Sequence, residues 1–224
     1  MIKPPFQGAS DIVEFPIDDV FRNLDKQVLF KSRWKMPKGG EEMLSDFLED
    51  KRILSYMKAQ AIYGYFPVYR DNHSLVIDNQ IWEFPELKGK RLSDHFECKD
   101  DGGDFIPLQA VTIGEASVAL SREMYANNDY AEYFLLYGLA AEMTETLADM
   151  LNKKINKELD LSKTLRRSFG YPACPDLSYQ RTLLELLNGD RINLILSDSN
   201  QLIPEFSTTA MLICDAGRRA GSSN

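Results

Sequence analysis

The longest periodic stretch in this chain runs from Asp129 to Leu159. Phe134, Tyr137, Ala141, Thr144, Leu147, Leu151 and Ile155 recur at steps of three and four residues, the repeat of one helical face. Lys153, Lys154 and Lys157 stand in its final turns, where cations suit the helix dipole. A second row runs beside the first: Gly138, Ala141, Glu145, Ala148 and Asn152. Its residues are mostly small, with one carboxylate in the middle. Such a row leaves room for a ligand at Glu145, or lets another helix approach closely. A lone acid there is also what an ordinary solvated helix position carries.

Strand-like segments supply the other half of the fold. Tyr63 to Tyr69 and Leu75 to Ile77 are β-rich and flank Asp71-Asn72-His73, which predicts a hairpin. Ile81 to Phe84 extends it. Phe105 to Ile113 alternates, and Thr209 to Ile213 and Ile192 to Leu196 read as the last strands. Ile17 to Leu24 spaces Ile17, Val20, Phe21 and Leu24 as one helical face, with Asp25 at its far end, where the helix dipole disfavours a carboxylate. Glu41 to Ala61 reads as helix in one or two pieces. Leu92 to Phe96 reads as a helical turn, Glu115 to Ala126 as a helix, and a last helix ends at Asn188-Gly189. Residues 1–15 carry no period and are expected to wrap the surface. The reading is a single α+β domain over residues 1–215, a twisted, mainly antiparallel sheet flanked by helices. A Gly/Ser/Arg-rich tail, 216–224, is expected to be disordered.

Composition narrows the function classes. Asp and Glu outnumber Lys and Arg by 34 to 26, a net charge of −8. That argues against nucleic acid, whose phosphates call for clustered cations. No apolar run reaches the roughly 20 residues of a membrane span, and no secretory leader pattern opens the chain. Cys98, Cys174 and Cys214 have no paired spacing and read as reduced thiols of a cytoplasmic protein. His73 and His95 lie apart from any cysteine cluster, so no protein metal site is expected. No Gly-rich strand–loop–helix of the Rossmann type is present.

The densest local signal is Arg166-Arg167-Ser168-Phe169-Gly170-Tyr171-Pro172-Ala173-Cys174-Pro175-Asp176. Each proline pushes the residue before it, Tyr171 and Cys174, toward extended conformation. Gly170 permits a sharp turn. The result is a stiff strip of main chain with guanidiniums at its entry, suited to a small carboxylate-bearing ligand. The same residues also suit a plain Pro-bracketed loop between two helices. Cys174 has no base beside it and is hemmed in by Ala173 and Pro175, which argues against a nucleophile.

Arg166-x-x-x-Gly170-Tyr171-Pro172-Ala173-Cys174-Pro175 resembles the R-x-x-x-G-Y-P-A-C-P signature of the activation domain of cobalamin-dependent methionine synthase. Gly64-Tyr65-Phe66-Pro67, the helix around Leu139 to Leu151, and Ile203 to Ala210 also have counterparts there. The resemblance runs from about Pro16 to about Ile213. It implies S-adenosylmethionine binding, with Arg166 on the carboxylate and acids at Asp25, Glu145 and Asp160 near the ligand. The family's acid at 160 is a longer Glu. Tyr171 is implied as a wall for adenine or methyl, and main chain across Ser168, Gly170, Pro172 and Ala173 as the reader of the adenine edge. Ser168 and Phe169 depart from the family's usual Ala and Pro.

The implied role is a reactivation subunit, with no catalytic residue of its own. An inert cob(II)alamin, held by a cobalamin-binding methionine synthase subunit, takes an electron from flavodoxin or an equivalent donor and is then methylated by S-adenosylmethionine. Asp71-x-His73 lacks the glycine of corrinoid-carrying motifs, Val76 standing in its place, so cobalamin enters only through a partner. The alternatives are a reactivator of another corrinoid methyltransferase and a non-catalytic S-adenosylmethionine-binding or interaction module.

Overall fold

A computed structural model of the chain describes residues 3–49, 52–98 and 104–214. The 216–224 tail lies outside the described residues. The chain opens with short strands β1 (Gly8–Ala9) and β2 (Val13–Phe15), helices α1 (Ile17–Arg22) and α2 (Lys26–Val28), and a π-helical turn, Leu29–Arg33. Helices α3 (Gly40–Glu49) and α4 (Arg52–Ser55) lead into β3 (Ala59–Asp71), β4 (Ser74–Ile77) and β5 (Gln80–Glu83). After a 3-10 turn at Leu92–His95 come β6 (Asp104–Thr112), α5 (Glu115–Ala126), α6 (Tyr130–Glu158), β7 (Thr164–Ser168) and α7 (Tyr179–Leu187). A second 3-10 turn (Gly189–Ile192), β8 (Ile195–Leu196), β9 (Leu202–Ile203) and β10 (Ser207–Cys214) complete it.

The main sheet runs β5-β4-β3-β6-β10-β7, and its strand pairs are antiparallel. β3 is its axis. β6 covers one side of it, while β2, β1 and β4 pair with successive parts of it, at Ala59–Ala61, Gly64–Tyr65 and Val68–Asp71. Side chains alternate across a strand, and this sorts the apolar residues into two cores. Ala61, Tyr63 and Tyr65 pack with Leu147 and Leu151 of α6, whereas Ile62, Phe66 and Val68 pack with Leu183 and Leu187 of α7. Burying one such leucine contributes about 1.5–3 kcal/mol.

Several sequence expectations hold. The hairpin turns at Asn72, which takes the left-handed conformation at φ 52°. α5 occupies the expected span, and α7 ends at a left-handed Asn188. Others need correction. Residues 8–9 and 13–15 form β1 and β2, because β3 is longer than β4 and leaves an edge for them. The segment read as helix to Ala61 turns to strand at Ala59, where partners on both sides outweigh helix propensity. The strand expected over Ile192 to Leu196 shrinks to two residues, paired only with β9.

α6 runs 29 residues without a proline, but its early apolar stripe is displaced. Leu136, Leu139, Ala140 and Met143 are buried, while Phe134 and Tyr137 stay exposed. Both faces are apolar at that end, so periodicity does not choose between them and the sheet does. Gly138 does mark a close approach, but of an aromatic ring: an added Cβ would lie 2.6 Å from Trp34 Cδ1. Trp34 donates from Nε1 to the Leu135 carbonyl at 3.0 Å, clamping the π-helical turn onto α6.

At the far end of α6, Glu158 accepts from Tyr63 Oη at 2.9 Å, Tyr65 Oη at 2.8 Å and Lys154 Nζ at 2.6 Å. Burial alone raises the Glu158 carboxyl, but these donors outweigh it and hold it below its ordinary 4.5. Burial, then the hydrogen bond and charge of Glu158, push both phenols up, so they remain donors. A carboxyl depressed in the folded state stabilises fully above its unfolded value, and that contribution is lost as pH falls through the folded value. Thermal midpoints measured downward from pH 6 are therefore expected to fall more steeply for the wild type than for Glu158→Gln. Parallel profiles would remove this account.

Candidate functional site

The signature begins on a strand. Arg166 pairs opposite Leu212 and Arg167 opposite Met211. Leu212 belongs to the α6-side core and Met211 to the α7-side core, so strand alternation sends Arg166 alone toward α6. Beyond Ser168 the chain turns at Gly170, φ 84°, a conformation that glycine adopts without penalty. The strip is less open than its prolines imply. Cys174 N–H donates to the Tyr171 carbonyl and Gly170 N–H to the Cys174 carbonyl, each at 2.8 Å, closing a tight turn with Pro172 and Ala173 at its tip. Tyr171 stands out from it, 65% exposed. Burial pushes the Cys174 thiol up to about 12, against the pull of Arg167, so it stays protonated at neutral pH.

Two adjoining hollows share Glu145 and Tyr171 in their walls. The larger, about 500 Å³, is lined by Asp25, Arg33, Glu142, Glu145 and Asp149 among others. The smaller, about 440 Å³, is lined by Leu87, Arg166, Arg167, Ser168, Pro172 and Ala173 besides the shared pair. The Arg166–Glu145 ion pair stands between them. Arg166 also lies 3.7 Å from Asp149, through Nη1 to Oδ1. That Nη1 is buried and has no hydrogen-bond partner among the described residues. A buried guanidinium nitrogen is rarely left without an acceptor.

Asp25 is placed differently from its sequence reading. It does not end α1 at an unfavourable pole; it caps α2, accepting from Val28 N–H at 3.0 Å through Oδ1. There the dipole favours an acid. Asp160 is not brought to the hollows. It is the left-handed, exposed residue after α6, φ 53°, about 22 Å along the helix axis from Glu145. Gly170 lines neither hollow and serves the turn.

Arg33, Glu142 and Asp149 were not singled out in the sequence. Arg33 Nε donates to Glu142 Oε2 at 3.0 Å. The widened π-helical turn, with Trp34 N–H bonded to the Leu29 carbonyl, carries Arg33 and Trp34 to α6 together. Burial raises the Glu142 carboxyl, Arg33 pulls it back, and the charges of Glu145 and Asp25 raise it further; the net direction is upward. A signal for Glu142 did exist: an acid between Leu139, Met143 and Thr146, three residues before Glu145 on the same side of the helix. Arg33 carried none.

The family model described as "Vitamin B12 dependent methionine synthase, activation domain" matches residues 15–219. The chain belongs to that family. Methionine synthase of Mycobacterium leprae (strain TN) is 27% identical over 266 residues, covering 94% of this chain and 22% of the relative. The methionine synthase of Mycobacterium tuberculosis (strain ATCC 25618 / H37Rv) matches with the same identity and coverage. This activation-domain chain therefore spans 22% of the length of the curated relatives it matches. A crystal structure of the MetH reactivation domain bound to AdoHcy superposes with a TM-score of 0.81 at 21% identity, covering 95% of this chain and 80% of that one. At that identity the likeness establishes the fold of this activation domain. No helix among the described residues is long and apolar enough to cross a membrane.

Proposed function

We propose that the paired hollows bind S-adenosylmethionine, and that the chain presents its methyl group to a corrinoid held on a separate methionine synthase polypeptide. The observation that carries this is the convergence of Arg166, Glu145, Asp25 and Tyr171, from three separate parts of the chain, on adjoining hollows. Their sizes fall in the range of small-molecule sites, about 300–1,000 Å³. Arg166 Nη1, which makes no hydrogen bond among the described residues, is a ready donor for the ligand carboxylate. Asp25 and Glu145 receive the ammonium or the ribose hydroxyls, and their charge favours the sulfonium. Tyr171 walls the adenine or the methyl. Because Gly170 N–H and the Tyr171 carbonyl are spent in the turn, adenine reading falls to Ser168 and to the main chain of Pro172 and Ala173.

The corrinoid supplies the cobalt that accepts the methyl once a reductant, flavodoxin or an equivalent, has delivered an electron. This chain's residues bind and orient the donor, which is where the protein contributes to a methyl transfer. A sulfonium gives up its methyl without losing a proton, so no general base is needed. The family match and the relatives' much greater length support a corrinoid held outside these residues.

The test has two stages. Calorimetric titration with S-adenosylmethionine is expected to show saturable binding. Label from the methyl group of S-adenosylmethionine is then expected on the corrinoid of a cobalamin-loaded methionine synthase, under reducing conditions and only with this chain added. Absence of binding rejects the proposal. Binding without transfer leaves a module that binds the ligand and does no more.

A further inference from the structure

We infer that the Glu142–Arg33 pair sets the cleft's preference for a charged sulfonium over the neutral thioether that remains after methyl transfer. This rests on the reading of the hollows as an S-adenosylmethionine site. When the S–CH3 bond breaks, its electron pair stays on sulfur and the positive charge disappears. A cleft that holds the donor and releases the spent ligand needs a charge that distinguishes the two.

The larger hollow has that charge. Asp25, Glu142, Glu145 and Asp149 line it, against Arg33 and Lys153. These acids are not equivalent. The Glu145 carboxylate is taken by Arg166. Asp25 and Asp149 are exposed, so water screens them. Glu142 is 5% exposed, and a charge so placed acts across a lower effective dielectric. Its partner does not cancel it evenly, because the Arg33 side chain is 36% exposed and the Glu142 side chain 6%. The guanidinium is the better hydrated half of the pair. The uncancelled charge facing the hollow is therefore negative, and Glu142 carries it.

A structural role for the pair, tying the π-helical turn to α6, predicts something else. Loosening that contact would weaken a charged and a neutral ligand alike. The quantity that separates the two roles is the ratio of affinities for S-adenosylmethionine and S-adenosylhomocysteine, which differ by the methyl and its charge.

The experiment titrates both ligands, by calorimetry at neutral pH, into the full chain, Glu142→Gln and Arg33→Gln. Glu142→Gln is expected to shift the ratio toward S-adenosylhomocysteine by about tenfold. Arg33→Gln, which uncovers the carboxylate, is expected to shift it the other way. The exposed Glu132→Gln on the same helix should leave it unchanged. The opposite signs let either variant carry the test if the other does not fold. A ratio that stays at the wild-type value in each folded variant overturns the inference while leaving the binding site intact. A wild-type chain that binds neither ligand overturns the site itself and this inference with it.

Discussion

Arg166→Ala is expected to lower S-adenosylmethionine affinity by about thirtyfold or more, on the scale of about 2–5 kcal/mol for truncating one member of a hydrogen-bonded charge pair, here a part-buried one. Two losses combine. The ligand carboxylate loses its donor, and Glu145 loses its partner, leaving an acid that repels it. Glu145→Ala should weaken binding as well, by removing an acid from the wall the hollows share. Arg166→Lys separates charge from shape: an ammonium keeps the charge but cannot make a two-pronged contact, so affinity should recover only in part. Calorimetry of the three variants, with circular dichroism to establish folding, decides the matter. Wild-type affinity in both alanine variants would end the site assignment.

Gly138→Val is expected to lower stability by more than about 2 kcal/mol and to weaken ligand binding with it, since forcing atoms into a filled space typically costs about 1–3 kcal/mol. Trp34 leaves no room: its Cδ1 and Nε1 would lie 2.6 and 2.7 Å from the new Cβ, and Arg33 Cβ at 3.2 Å. The indole is rigid and held by its bond to Leu135, so the turn carrying it must move. That turn also carries Arg33, and Asp25 caps the helix just before it. A helix interior ordinarily gains by losing a glycine, about 1 kcal/mol for alanine; here the clash should dominate. Denaturant melts and a ligand titration on the same sample check both halves. Full stability would mean that Trp34 finds another seat.

Features with a local physical cause were legible in the sequence. The long helix, the Gly114-to-Ala126 segment, the Asn72 hairpin and the left-handed Asn188 each depend on neighbours within a few residues. So did the Gly170 turn and the clustering of Ser168, Tyr171, Pro172 and Ala173 beside Arg166. Expectations failed where partners were distant. Ala59 became strand because β2 and β6 lie on either side of it. Phe134 and Tyr137 were left outside because the sheet took the other face of α6. Asp160 follows the helix that carries Glu145, and a helix that long sets it apart from the hollows.

By itself, then, the chain of residues determined which side chains share a helical face, where the backbone must turn, and the signature that marks its family. Only the tertiary structure decided which faces meet. Arg33 and Glu142 stand 109 positions apart in the chain, and Asp25 owes its place in the hollow to a turn clamped on a distant helix. Contacts of that kind follow from the packing of whole elements, and no short-range spacing encodes them.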